Sequence, residues 1–315
     1  MIHPLTPLSP SPLALHALAQ VPPELEWLAN LDSPQTRRAY QTAVRDFTTF
    51  LGLEQLEDLR HITRAHAILW RDHLKAQGYS SNTIRQRLAC LSSLFDYLCD
   101  RNAVTNNPVQ GVKRPRHPGL EGRTPAIGDH QARSLLNAPE GDSRTARRDR
   151  AILATLLYHG LRRDELCRLT MADFHQERRG IRHLPIHGKG NKIRYIPLHP
   201  AASRLIHEYL ECADHAAIPD AALFQSLAPT ADLHRGITPD AVYKLVRKYS
   251  EGLGFKIGAH ALRATAATNA LDNKADIAKV QDWLGHVNIS TTRLYDHRQT
   301  RPEDSPTFKV DYGSE

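Results

Sequence analysis

The chain has 315 residues, enough for about two domains at roughly 150 residues each. Hydrophobic residues make up 41% and charged residues 24%, values that exclude a wholly disordered chain. The most apolar stretch, Ala151–Leu157, is far too short to cross a bilayer, and the N-terminus lacks the basic n-region and cleavage site of a secretory signal. Cys90, Cys99, Cys167 and Cys212 show no CxxC spacing. They read as free thiols of a reducing compartment, so the expected location is cytoplasmic, with no membrane partner. Net charge is +7 and concentrated in the second half: residues 116–300 carry a surplus of 7, residues 1–115 a surplus of 2, and residues 301–315 a deficit of 2. A basic domain attracts polyanions, of which nucleic acid is the commonest.

Residues 1–22 contain five prolines and no helical period, and read as a mobile leader. A short helix is expected over Glu24–Leu31. Ser33-Pro34 is an N-cap and first-turn pair for a second helix, in which Tyr40, Val44, Phe47 and Leu51 form one apolar face closed by Gly52. A third helix runs from Thr63 to about Gln77, with Leu69, Trp70 and Leu74 inward. A fourth begins near Ser81 and buries Ile84, Leu88, Leu91, Phe95 and Leu98. The four make an α-helical bundle over residues 23–110.

Residues 111–123 contain Lys113, Arg114, Arg116 and Arg123 among Pro and Gly, and have no apolar period. They read as an exposed basic linker, either merely solvated or lying along a phosphate backbone. A second domain is expected over residues 124–300. Its helices are Asp129–Leu136, Thr145–Tyr158, Pro200–Cys212, Pro239–Glu251, Ala259–Leu271 and Ala275–Leu284. Strands at Gly180–His187 and Lys192–Leu198 flank a tight Gly-Lys-Gly-Asn turn. The fold class is therefore mainly α with a small antiparallel sheet. The tail, residues 301–315, alternates at Phe308, Val310 and Tyr312 like a short strand seeking a sheet edge.

Four segments could carry chemistry. In Gly160-Leu161-Arg162-Arg163-Asp164-Glu165-Leu166, Arg162 and Glu165 are three apart and share a face at a helix start. Gly188-Lys189-Gly190 puts a lysine at a hairpin tip, without the pattern of a phosphate-binding P-loop. His260 and Arg263 project from one side of a helix. Leu284-Gly285-His286 precedes Thr291-Thr292-Arg293-Leu294-Tyr295. Alone, each is an ordinary surface or packing element.

In this order and combination they resemble the tyrosine recombinases, the phage integrase family, over residues 24 to about 300, with short Xer-type and integrase-type members most similar. The resemblance implies a core-binding, SAM-like helical domain followed by a mixed α+β catalytic domain. It implies a catalytic set of Arg162, Lys189, His260, Arg263, His286 and Tyr295, with Glu165 in support. Ala264 departs from many relatives, which carry a basic residue or histidine there. The implied reaction cuts and rejoins DNA through a 3′-phosphotyrosine bond. Tyr295 is the nucleophile, the arginines and His286 are phosphate donors, His260 helps the phenol proton move, and Lys189 protonates the leaving 5′-oxygen. No metal, nucleotide or other cofactor is required. The implied partners are double-stranded DNA with a specific target site, three further copies of the chain on two duplexes (free protein being monomeric or weakly associated), and in some members a second recombinase or a DNA-bending protein. Relaxation of the type IB topoisomerase kind, or DNA binding by an inactive relative, are the alternatives.

Overall fold

The computed structural model describes residues 23–116, 126–188, 192–227, 235–286 and 288–296. The leader, residues 117–123 of the basic segment, the hairpin tip with Lys189, and the C-terminal tail lie outside the described residues. The chain divides into two compact units, Met1–Gly119 and Leu120–Glu315.

The first unit contains α1 (Pro23–Ala29), α2 (Pro34–Leu51), a 3-10 turn (Leu56–His61), α3 (Arg64–Ala76) and α4 (Ser81–Asp100). The Ser33 hydroxyl accepts from the Thr36 N–H, and Gly52 ends α2 in the left-handed conformation at φ 66°. The core gathers Phe47, Trp70, Leu74, Leu88, Leu91 and Phe95, all close to fully buried, and Phe47 meets Trp70 edge-on at 5.1 Å. Leu69 corrects the expected face: it is 58% exposed. Ala67, Trp70 and Leu74 form the inward stripe at steps of three and four, and Leu69 lies about 100° away from Trp70.

The start of the basic segment is not a free linker. Val109 and Val112 join the helical core. Arg71 of α3 donates to the Lys113 carbonyl at 3.1 Å, and Arg85 of α4 donates to the Pro115 carbonyl at 3.2 Å. Lys113, Arg114 and Arg116 keep their side chains exposed while the backbone between them is tied down.

The second unit contains α5 (Asp129–Asn137), α6 (Arg144–His159), α7 (Arg163–Cys167), α8 (Met171–Phe174), β1 (Glu177–Arg178), β2 (Ile181–His187), β3 (Ile193–Pro197), α9 (Pro200–Leu210), α10 (Pro239–Gly252), α11 (Ala259–Asp272), α12 (Ile277–Leu284) and α13 (Ile289–Arg293). The sheet is antiparallel in the order β1-β2-β3. Strand β1 extends the expected two-stranded hairpin. Arg178 pairs with Ile181 across Arg179 and Gly180, which adopt φ 52° and 76°. Two positive φ values are the requirement of a two-residue hairpin turn. In β2 and β3, Ile186 pairs with Arg194 and Leu184 with Ile196. Leu184, Ile186 and Ile196 are buried on the face that meets the helices. Helix α12 begins two residues later than expected because Asp276 caps it, accepting from Ala278 and Lys279.

Helix α6 ends in an arrangement that fixes the next segment. His159 is buried, with Nδ1 bonded to the Thr155 carbonyl and Nε2 accepting from the His199 N–H, both at 3.0 Å. Gly160 follows at φ 59°, and a Cβ there would lie 2.9 Å from Leu284 Cδ2, so glycine is required on both counts.

Two outcomes follow from this packing. Replacing Arg71 and Arg85 together with Ala should speed amide hydrogen exchange over residues 112–116 and lower stability by about 1–2 kcal/mol, the sum expected for two modest hydrogen bonds. Unchanged exchange would show that the arginines do not hold the segment. Burial pushes the His159 imidazole down to about 4, from an ordinary value of 6.5. The unfolded chain therefore takes up this proton first as pH falls. His159 contributes stability above pH 6.5 that is lost between 6.5 and 4, on the order of 3 kcal/mol. In urea melts across that window, His159→Gln should be less stable at pH 7 and show a flatter pH dependence than the natural protein.

Candidate active site

The second unit brings five of the six expected catalytic positions into one cluster, with Glu165 at its centre. Arg162 follows the α6 glycine turn in extended backbone and is the N-cap residue of α7. Glu165, three residues on, reaches back so that one oxygen, Oε2, accepts the Arg162 backbone N–H at 2.8 Å. Its Oε1 accepts from the Arg162 guanidinium, also at 2.8 Å. This is not an exposed surface pair, because the Glu165 side chain is only 5% exposed.

A residue that the sequence reading did not single out completes the pairing. Arg194 of β3 donates to both Glu165 oxygens, at 3.0 and 2.7 Å, and its Nε donates to the Trp283 carbonyl at 3.0 Å. A signal for it exists in the register. Arg194, Ile196 and Leu198 alternate on the core-facing side of the strand, so an arginine occupies a position whose neighbours are apolar and buried. The hydrogen bonds from Arg194 and Arg162 hold the Glu165 carboxyl below its usual value despite burial, which alone would raise it.

Arg263 of α11 is fully buried. Its guanidinium donates to the Gly160 carbonyl at 2.6 Å and the Leu284 carbonyl at 2.5 Å, the C-terminal ends of α6 and α12. Two helix C-termini place partial negative charge where the cation needs it. Glu165 Oε2 lies 4.0 Å from Nη1, and Nε is buried with no hydrogen-bond partner among the described residues. Burial, then the charge of Arg162, brings the Arg263 guanidinium down to about 10. Ala264, the departure from the family pattern, is fully buried against Leu284 and Tyr295 in the α11–α12 core.

His260 stands one turn before Arg263 and keeps an exposed face. The protein packed around its ring, then Arg263 and Arg162, push its imidazole below the ordinary value. His286 follows Gly285, which ends α12 at φ 66°. Its Nδ1 lies 2.9 Å from Thr292 Oγ1, and its main chain is paired with Gln281 through two hydrogen bonds. Burial, then Arg263 and Arg162, push His286 down to about 4, so at neutral pH the ring is uncharged.

Tyr295 follows α13 and is 6% exposed, its ring 6.0 Å centre to centre from His286. Its backbone is held by Thr292 and by the Thr268 hydroxyl. Burial raises the phenol and the charges of Arg263 and Arg162 oppose the rise, leaving it above its usual value and protonated. Lys189 lies outside the described residues. The hairpin beneath it is closed by Gly188 N–H donating to the Lys192 carbonyl at 2.8 Å. Lys113, Arg114 and Arg116 belong to the first unit.

This arrangement concentrates guanidinium and imidazole donors around one phenol and one buried carboxylate, the equipment for binding a phosphodiester and stabilising extra charge on it. Residues 126–301 match the phage integrase family and residues 27–102 match its N-terminal SAM-like domain. Tyrosine recombinase XerC of Herpetosiphon aurantiacus is 32% identical over 269 residues, covering 83% of this chain and 84% of that protein. Tyrosine recombinase XerD of Halalkalibacterium halodurans is 29% identical, covering 79% and 82%. Among solved structures, the XerH site-specific recombinase bound to palindromic difH substrate superposes with a TM-score of 0.67 at 21% identity, over 83% of this chain and 76% of that one. The Tn1549 transposon integrase in complex with transposon right end DNA gives 0.68 at 17% identity, over 91% and 96%. The chain thus belongs to the phage integrase family and is a tyrosine recombinase.

Proposed function

We propose that Tyr295 is the nucleophile and that Arg162, Lys189, His260, Arg263 and His286 form the catalytic set, with Glu165 supporting them. The observation that carries this reading is the gathering of Arg162, Arg263 and His286 around one buried phenol, with His260 one turn before Arg263 on α11. In the reaction the phenol oxygen attacks phosphorus, the bond from phosphorus to the 5′-oxygen breaks, and a 3′-phosphotyrosine bond forms. The phenol proton leaves with help from His260. Lys189 gives a proton to the departing 5′-oxygen. Attack by another 5′-hydroxyl reverses the step and joins new partners. Arg162 and Arg263 hold the non-bridging oxygens, and neutral His286 donates a further hydrogen bond. One P–O bond breaks as another forms, the phosphotyrosine keeps the phosphodiester energy and the side-chain donors offset the developing charge, so the scheme calls for no metal, nucleotide or redox group.

Double-stranded DNA carrying a specific site is the substrate, and four copies of the chain on two duplexes are the working unit, since two strands are exchanged at each of two sites. Lys113, Arg114 and Arg116 serve as backbone contacts of the first unit. A cytoplasmic location goes with a DNA substrate. Among the described residues no helix is long and apolar enough to cross a membrane. The buried state of Tyr295 and Arg263 supports a mechanism in which engaging DNA rearranges the segment carrying Tyr295 before chemistry.

Tyr295→Phe should bind a target half-site normally and form no covalent adduct on a nicked suicide duplex, because only the attacking oxygen is removed. An adduct that persists in this variant would sink the assignment. Lys189→Ala should slow cleavage by roughly 10²–10⁴-fold, the loss typical of a missing general acid. On a duplex whose bridging 5′-oxygen is replaced with sulfur, a leaving group that needs no proton, most of that loss should vanish. Equal slowness on both substrates would assign Lys189 another role.

A further inference from the structure

Arg194 touches two of the segments that build the site. Its fork covers both oxygens of Glu165 on α7, its Nε holds the Trp283 carbonyl at the end of α12, and it packs on Gly285, where a Cβ would lie 3.2 Å from its Nη1. Arg162 is held differently. Its side chain makes one bond to Glu165 and is 40% exposed, against 16% for Arg194. Glu165 therefore has one enclosed, bidentate partner and one open, single-bonded partner.

A buried carboxylate left without a counter-ion is strongly unfavourable. If Arg162 were the sole partner of Glu165, a phosphate would have to take that guanidinium from a buried charge. The bidentate fork removes this competition, because both oxygens stay occupied when Arg162 turns away. We propose that Arg194 is the permanent counter-ion of Glu165, a positioning residue that frees Arg162 to engage the scissile phosphate. This inference rests on the reading of Arg162 as a phosphate-binding residue.

The test is a cycle of four full-length proteins: the natural chain, Arg194→Met, Glu165→Gln and the double variant. Arg194→Lys serves as the conservative control. Each is assayed for the rate of adduct formation on the nicked duplex, for half-site affinity and for melting temperature. Arg194→Met should slow adduct formation about 10²-fold, the scale of a misplaced reacting group, with affinity nearly unchanged. The double variant should be as fast as Glu165→Gln alone, because a neutral amide needs no counter-ion. Arg194→Lys, which keeps the charge but loses the fork, should fall between. Wild-type speed in Arg194→Met, or a double variant clearly slower than Glu165→Gln alone, would overturn the proposal. If the natural chain itself forms no adduct, the functional reading fails. The melting temperatures then decide the counter-ion role alone: recovery of stability in the double variant supports it, and additive losses overturn it.

Discussion

The site depends on one buried negative charge. Glu165 is enclosed by protein, and Arg162, Arg194 and Arg263 are arranged around it. Guanidinium groups brought this close repel one another. Two unit charges about 6 Å apart at an effective dielectric near 20 interact with about 3 kcal/mol. The carboxylate offsets that repulsion at its source. It also lies at the start of α7, where a negative charge favours the helix N-terminus and where its oxygen satisfies the Arg162 N–H. One side chain therefore sets the helix start, the placement of Arg162 and the tolerable density of positive charge.

Arg263 shows the same economy with backbone in place of a carboxylate. Its partners are the carbonyl ends of α6 and α12, and both helices stop at a left-handed glycine, Gly160 and Gly285. The glycines admit the close approach: side chains of Leu284 and Trp283 pack where a Gly160 Cβ would be, and the Arg194 guanidinium packs where a Gly285 Cβ would be. Residues that look like punctuation in the sequence thus determine how closely the two helix ends can flank the cation. The lowered basicity of His286 and His260 follows first from burial and then from the same concentration of charge, since each guanidinium nearby disfavours another proton.

Much of this was legible in the sequence, for physical reasons that can be named. The long helices carried a 3.6-residue period, and Ser33 and Gly52 mark the ends of α2 as N-cap chemistry and left-handed glycine require. The short elements were not legible, because β1 has two residues and α13 five, too few to display a period. Leu69 was misplaced because it neighbours Trp70 in sequence, whereas burial follows the steps of three and four from Ala67. Of the site, the motifs named the donors and the phenol, and they also named Glu165. Arg194 was missed because it sits in a strand, KIRYIPL, whose apolar content hides one inward cation. Its role appears only when the register aligns it with Ile186.

The phenol of Tyr295 is held by a different kind of contact from the cation cluster. Tyr295 packs among Ala264, Ala267, Leu271, Val280 and Leu284, on the side of α11 that faces away from solvent. The helix leading to it, α13, is a little over one turn long, and a helix that short is not stable without its tertiary contacts. Those contacts are modest: the Asn288 cap, the pairing of Thr292 with His286, and a 3.3 Å bond from Thr268. Arg263 and Glu165, by contrast, are anchored to α6, α11 and α12 and to the sheet through Arg194. Arg263 and the carboxylate beside it are thus built into the core of the second unit. The phenol is carried on a segment held by few hydrogen bonds, so what displacing it costs is set mainly by the burial of its own ring. Under the proposed mechanism, that division lets the phenol travel without dispersing the guanidiniums.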